Sequence, residues 1–223
     1  MTEPSIDRRA AAKARTRHAI VDAASTLMDR TQGVDFSVDE LAAEADVARR
    51  TVFNHFDSLD DVVAAVGSGG FARILDALRD EPVVPGEDVA ADLAAAIRRA
   101  DLIDPLVSLS RGFGLVRTVD ENVDRTCMLN ATHPEIPQRP AMLLLRSLAE
   151  VSELLVAELS ERHPGSDAIA VELSVSRQVS ELVVLHKYWL AATGAADDQA
   201  SAETWSDLLS RLDTPTVASA TTD

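Results

Sequence analysis

Cysteine is almost missing from this chain of 223 residues. Cys127 stands alone, so no disulfide can close within the chain and a cysteine-rich zinc site is excluded. A reducing, cytoplasmic setting is expected from that usage. Aromatic side chains make up only 4% of residues against 46% for all hydrophobic ones, so Ala, Val and Leu dominate the apolar material. Such a composition favours helices packed through small and branched aliphatic groups, and the expected fold class is all-α. No uninterrupted apolar run approaches the ~18 residues a membrane span needs, and the N-terminus lacks the apolar core of a signal peptide. No membrane association is expected. Enzyme signatures are missing too: there is no H-E-x-x-H, P-loop, G-x-S-x-G or dinucleotide fingerprint, and no Glu-x-x-His pair for a helical di-metal site. The chain is therefore expected to have no catalytic residues, no metal and no cofactor.

Positive charge is the other scarcity, with 21 basic against 37 acidic residues and a net charge of −16. That average argues against nucleic acid, because attraction to phosphate needs local positive potential. The deficit is unevenly spread, however. Residues 1–56 hold 8 basic and 9 acidic side chains, whereas the remainder holds 13 and 28. Arg8, Arg9, Lys13, Arg15 and Arg17 fall within ten residues that contain no carboxylate, and a basic, flexible arm is expected over 1–14. A second carboxylate-free island, Val47 to Phe56, carries Arg49 and Arg50.

Between these islands the spacing predicts a helix-turn-helix. Ile20, Ala24, Leu27 and Met28 mark one helix face, with Gly33 as its terminator. Ser37 and Glu40 then stand in capping-box positions, and Phe36 and Leu41 in those of a hydrophobic staple, so a short helix should run from Val38 to about Ala45. Asp46 occupies the turn position that usually takes glycine, and it is among the few other residues that tolerate a left-handed backbone. Ala42 supplies the small residue where two helices cross, and Leu41, Ala45, Val47, Val52 and Phe56 should face inward. Arg49, Arg50, Thr51, Phe53, Asn54 and His55 are then left to project outward from the next helix. Arginine pairs with guanine O6 and N7, asparagine with adenine N6 and N7, and threonine touches a thymine methyl or a phosphate. Ser37 and the amides that begin the second helix would contact the DNA backbone. Most charged helix faces are simply solvated; the missing carboxylates, the capped helix before and the basic segment upstream favour double-stranded DNA as the partner.

The stretch from about Arg15 to Val66 resembles the TetR family of bacterial transcriptional regulators. Where that family commonly shows a Gly-Val-Ser turn, a Thr-Phe-Tyr core, a Tyr/His-Phe ending and a Ser-Lys-Glu, the matching residues here are Asp46-Val47-Ala48, Thr51-Val52-Phe53, His55-Phe56 and Ser58-Leu59-Asp60. The resemblance implies a three-helix DNA-binding domain over 15–57, with Arg15, Arg17, Ser37, Ala48, Arg49, Arg50, Thr51, Phe53, Asn54 and His55 at the DNA. Ala48 and Phe53 lack hydroxyls and Leu59 lacks the ammonium that the family's pattern would offer to phosphates.

Residues 58–213 are expected to form a larger helical ligand-binding and dimerisation domain, and 214–223 a disordered tail. A helix beginning near Ser58 would be loosened by Gly67, Gly69 and Gly70 and ended by Pro82, Pro85 and Gly86. The longest helical patterns cover 139–162 and 167–193, and the second carries more apolar surface than one stripe needs. By resemblance these two would pair with their mates in a homodimer. The middle helices would enclose a pocket for an unknown small-molecule effector, lined by Phe71, Leu75, Leu106, Leu109, Phe113, Leu115, Met128, Met142 and Trp189, with Cys127, His133 and His186 as its polar members. The expected function is a ligand-responsive repressor that binds a palindromic operator as a homodimer. The alternatives are an activator, or a helical ligand-binding or interaction dimer with weakened DNA binding.

Overall fold

The computed structural model describes residues 3–83, 88–116 and 138–213, and among them the regular structure is entirely helical. The elements are α1 (Glu3–Thr31), α2 (Val38–Glu44), α3 (Arg49–His55), α4 (Leu59–Gly70), α5 (Ala72–Arg79), α6 (Val89–Arg99), α7 (Ile103–Gly112), α8 (Gln138–Arg162), α9 (Ala168–Thr193) and α10 (Gln199–Leu209), closed by a 3-10 turn (Ser210–Asp213). Met128, His133, Cys127 and the tail 214–223 lie outside the described residues.

The segment expected as a flexible arm over 1–14 is helical from Glu3 and continuous with α1. Ala10, Ala11, Ala12, Lys13, Ala14 and Arg15 are all strong helix formers, so nothing breaks the helix before its apolar half begins. That half buries Ile20, Ala23, Ala24, Leu27 and Met28 on one face, and the chain leaves α1 with the Gly33 amide donating to the Met28 carbonyl at 3.2 Å. α2 packs against α1, and α3 packs against α2.

α4 connects these three helices to the rest and packs against α1, α7 and α8. The single helix expected from Ser58 to Pro82 is two, α4 and α5, divided at Phe71. Three glycines in four residues weaken the helix there. Gly67 also has a packing role: a Cβ at that position would collide with Ser147 Oγ and Cβ of α8 and come within 3.4 Å of Phe113 Cζ. The Ser147 hydroxyl is shared between the carbonyls of Ala64, at 3.1 Å, and Leu143, at 3.0 Å, so α4 and α8 touch almost backbone to backbone. A second close approach joins α1 to α7, where a Cβ on Gly112 would stand 3.0 Å from Met28 Cε.

Ion pairs reinforce the same junction. Arg139, at the start of α8, reaches Asp35 in the α1–α2 loop at 3.0 Å and Asp60 of α4 at 2.8 Å. Arg146, two turns further along α8, pairs with Asp61 of α4 and with Glu150 at 3.2 Å. The Ser58 hydroxyl donates to Asp61, and against the opposing effect of burial this bond and Arg146 hold the Asp61 carboxyl below the usual carboxylate range. At the far end of α8, Arg162 and His163 converge on the buried Asp92 of α6 at 2.9 Å each. Burial would raise the Asp92 pKa, but these donors outweigh it and lower it. α9 packs against α6, α8 and α10, with Trp189 fully buried and donating to the Ser201 carbonyl at 3.0 Å.

Candidate nucleic-acid interface

The turn that aims α3 is built from local chemistry. In α2 the Ser37 hydroxyl accepts from the Glu40 amide at 3.2 Å while the Glu40 carboxylate accepts from the Ser37 amide at 2.8 Å, which closes the capping box. These bonds from Ser37 also lower the Glu40 pKa. After Ala45 the chain turns through Asp46 at φ 50°, the left-handed conformation anticipated for that residue. The Val47 amide then donates back to the Ala42 carbonyl at 3.0 Å. Ala48 is extended and begins α3 without a side-chain cap, and the first turn of α3 contains no acidic residue.

Val52 and Phe56 are buried on the inner side of α3, with Ala45 and Val47 packed half-buried beside them. On the outer side Arg49, Arg50, Phe53 and Asn54 are exposed, whereas Thr51 and His55 are half-buried. α3 therefore presents two guanidiniums, a carboxamide and an aromatic edge on one short surface. Residues 20–66, which span this unit and most of α4, match the family model described as bacterial regulatory proteins, tetR family. This is a TetR-family domain.

The fold comparison includes two solved structures named for TetR-family transcriptional regulators. One, from Mesorhizobium loti MAFF303099, is 19% identical, with 89% of this chain and 95% of that chain covered at a TM-score of 0.41. The other, from Shewanella sp. PV-4, is 18% identical, with 86% and 96% covered at a TM-score of 0.42. No curated protein matches the sequence. The family match covers residues 20–66 and characterises that segment of the chain.

Within the TetR-family domain the side chains singled out from the sequence divide into free and committed groups. Arg15 is exposed on α1 with no ion-pair partner among the described residues, as are Arg9 and Lys13. Arg50 and Asn54 are equally unengaged. Arg17 is committed: its Nη1 donates to the His55 carbonyl at 3.0 Å and its guanidinium lies 4.0 Å from the centre of the Phe56 ring. It caps the C-terminus of α3, where free carbonyls and the helix dipole favour a cation. Ser37 is committed to Glu40 through both its amide and its hydroxyl. Ala48 is exposed and its carbonyl accepts from the Thr51 amide at 2.7 Å. His55 has its Nδ1 buried without a partner among the described residues. Asp39 had no place in the sequence reading, yet its carboxylate holds the Arg49 Nη1 at 3.1 Å through each oxygen.

The residues expected to line an effector pocket are also sorted. Leu75, Leu106, Leu109, Phe113, Leu115 and Trp189 are buried and Phe71 is half-buried, all within one continuous apolar core. Met142 is 60% exposed on the outer face of α8 and lines no interior space. Its helical spacing showed that it belongs to an apolar face but not which of two faces, and Leu143 beside it takes the inner one. His186 lies half-buried between Ser110 and Trp189, its ring stacked on the indole at 5.8 Å between centroids. The Ser110 hydroxyl donates its only proton to the Leu106 carbonyl at 2.7 Å, so it accepts from His186 Nε2 at 2.8 Å. Burial pushes the His186 pKa down to about 4, which keeps the ring neutral. An open cleft of about 400 Å³ between α9 and the 3-10 turn is lined by Arg177, Glu181, Val184, Arg211 and Leu212 and by none of the expected pocket residues. Among the described residues no cluster of three or more His, Cys, Asp or Glu could hold a metal, and no helix is long and apolar enough to cross a membrane.

Proposed function

We propose that the chain is a homodimeric, ligand-responsive transcriptional repressor that binds a palindromic operator with α3 in the major groove. The observation that carries this reading is the outer face of α3, which offers Arg49, Arg50, Phe53 and Asn54 to solvent with no carboxylate of its own. Arg49 and Asn54 suit base edges, while Arg50, Thr51 and the basic half of α1 with Arg15 suit phosphates. Arg17 and Ser37 act indirectly, by fixing the ends of α3 and α2.

Dimerisation is supported by where apolar surface remains uncovered. Of the eight large hydrophobic side chains exposed among the described residues, seven lie on α8 and α9: Met142, Leu145, Leu154, Ile169, Leu173, Val184 and Tyr188. Ile169, Leu173, Val184 and Tyr188 follow one face of α9 at helical spacing, a stripe suited to its twofold mate. Two copies of α3 related by that axis would read two half-sites, and one copy alone makes too few contacts for specificity. The effector would act within 58–213 by population shift, favouring a conformation in which the two copies of α3 are wrongly spaced. Both α4, wedged between α1 and α8, and the Arg139 and Arg146 ion pairs give such a shift a physical route to the reading head.

The test uses the duplex that the protein selects from a randomised library. Arg50→Ala should flatten the slope of log affinity against log salt by about 0.9, the release expected from one phosphate contact. Asn54→Ala should relax preference at one base pair per half-site. If both variants bind like the unchanged protein in salt slope and in sequence preference, this assignment of α3 is wrong.

A further inference from the structure

We propose that Asp39 is a positioning residue for Arg49, fixing the guanidinium so that it reads one guanine in each half-site; this rests on the DNA-binding reading above. The geometry is specific. Asp39 lies in the first turn of α2 and Arg49 is the first residue of α3, so the pair spans the two helices of the motif. Both carboxylate oxygens sit 3.1 Å from Nη1, and the guanidinium carbon lies 5.9 Å from the centre of the Phe53 ring. With Nη1 occupied, the Nε–Nη2 edge keeps its two parallel N–H donors, the arrangement that matches guanine O6 and N7. Asp39 is the one hydrogen-bonding partner of Arg49 among the described residues.

The pair is poorly suited to stabilising the fold. Its side chains are 60% and 72% exposed, and ion pairs in that setting contribute little. It is also unfavourable for bulk attraction to DNA, because it places a carboxylate beside the helix that meets the phosphates. A feature that weakens general affinity and adds little stability is accounted for by orientation: an arginine already held at the angle of a base contact loses less side-chain freedom on binding. Arg50, the next residue, has no such brace, which separates a braced base reader from a mobile phosphate binder.

The experiment is a double-mutant cycle on the full-length protein, with the duplex selected from a randomised library and its single-base variants as probes. Asp39→Ala should bind random-sequence DNA more tightly, by a few-fold, and lose at least threefold in discrimination at one G·C pair per half-site. Arg49→Ala should lose about 5- to 150-fold at the same pair, the range of one bidentate arginine contact. Adding Asp39→Ala to Arg49→Ala should cost nothing further at that pair, and Asp39→Glu should restore part of the preference. A role confined to the first turn of α2 would instead lower the melting midpoint and weaken all sequences alike. If Arg49→Ala loses a base preference while Asp39→Ala keeps it, the positioning role is refuted and the DNA-binding reading stands. If no duplex is enriched at all, both fall.

Discussion

Asp46 shows how one side chain records the cost of a sharp turn. Its φ of 50° lies where a Cβ is crowded, and aspartate tolerates the position better than most residues without removing the strain. Asp46→Gly should raise stability by up to ~1 kcal/mol, read as an increased urea midpoint with an unchanged slope. His186 is a second residue whose environment sets a measurable property. Its folded pKa, about 4, lies below the ordinary 6.5, so the unfolded chain takes up the proton first. Its contribution is whole above pH 6.5 and is lost as the pH falls towards 4, by about 3 kcal/mol across the window. Urea titrations at pH 7 and pH 4.5 should therefore show the unchanged protein losing more stability than His186→Gln, and equal losses would mean that the ring is not buried against its charge. At this scale local chemistry was readable in the sequence. Ser37 with Glu40, Asp46 in the turn, and Val52 and Phe56 facing inward all depend on neighbours within a few positions. Arg17 and Asp39 were not readable in their actual roles, because the first meets His55 38 residues away and the second meets Arg49 across a turn whose geometry decides the contact.

Among the elements, α4 is the one on which the others depend. It lies between the α1–α3 unit and α8, and Gly67 lets it approach Ser147 without a side chain in the gap. Gly67→Ala would force the two helices apart or push Ser147 off its shared carbonyls. The expected cost is about 1–3 kcal/mol, the usual penalty for overfilling a packed contact, and Ser147→Gly in the same chain should recover part of it. Chemical denaturation of the single and double variants tests this, with equal midpoints counting against the close crossing. The sequence marked Gly67 as a weak point in a helix but could not show that its missing Cβ is filled by α8, 80 positions further on. Nor did it show that Arg139 and Arg146 pair with Asp35, Asp60 and Asp61, since contacts of that separation leave no local pattern. The helical start of α1 went unread for a different reason: charge density suggested a flexible arm, and the alanines between the basic residues favour helix.

For the whole molecule, the division of charge and the distribution of apolar surface are the features on which the proposed assembly rests. On the proposed reading, the acidic excess beyond Phe56 would keep the remaining surface off DNA and limit binding to α3 and the basic half of α1. The apolar stripe on α9 is the proposed seam between copies. Leu173→Glu, at a position 65% exposed in the single chain, should leave the fold intact and convert a dimer to a monomer by sedimentation, with DNA affinity falling steeply. A monomer before the substitution, or a dimer after it, would remove α9 from the seam. The all-helical class was readable from composition and the two long helices from periodicity, whereas the faces they turn outward depend on packing, as Met142 shows. The account as a whole stands on sequence-specific recognition by α3. Its most direct measurement is selection of duplexes from a random library by the full-length protein at moderate salt, followed by sequencing. The account predicts an enriched site with twofold symmetry and half-sites about one helical turn, roughly 34–36 Å, or a multiple of it apart. Recovery of DNA no different from the starting library would contradict it.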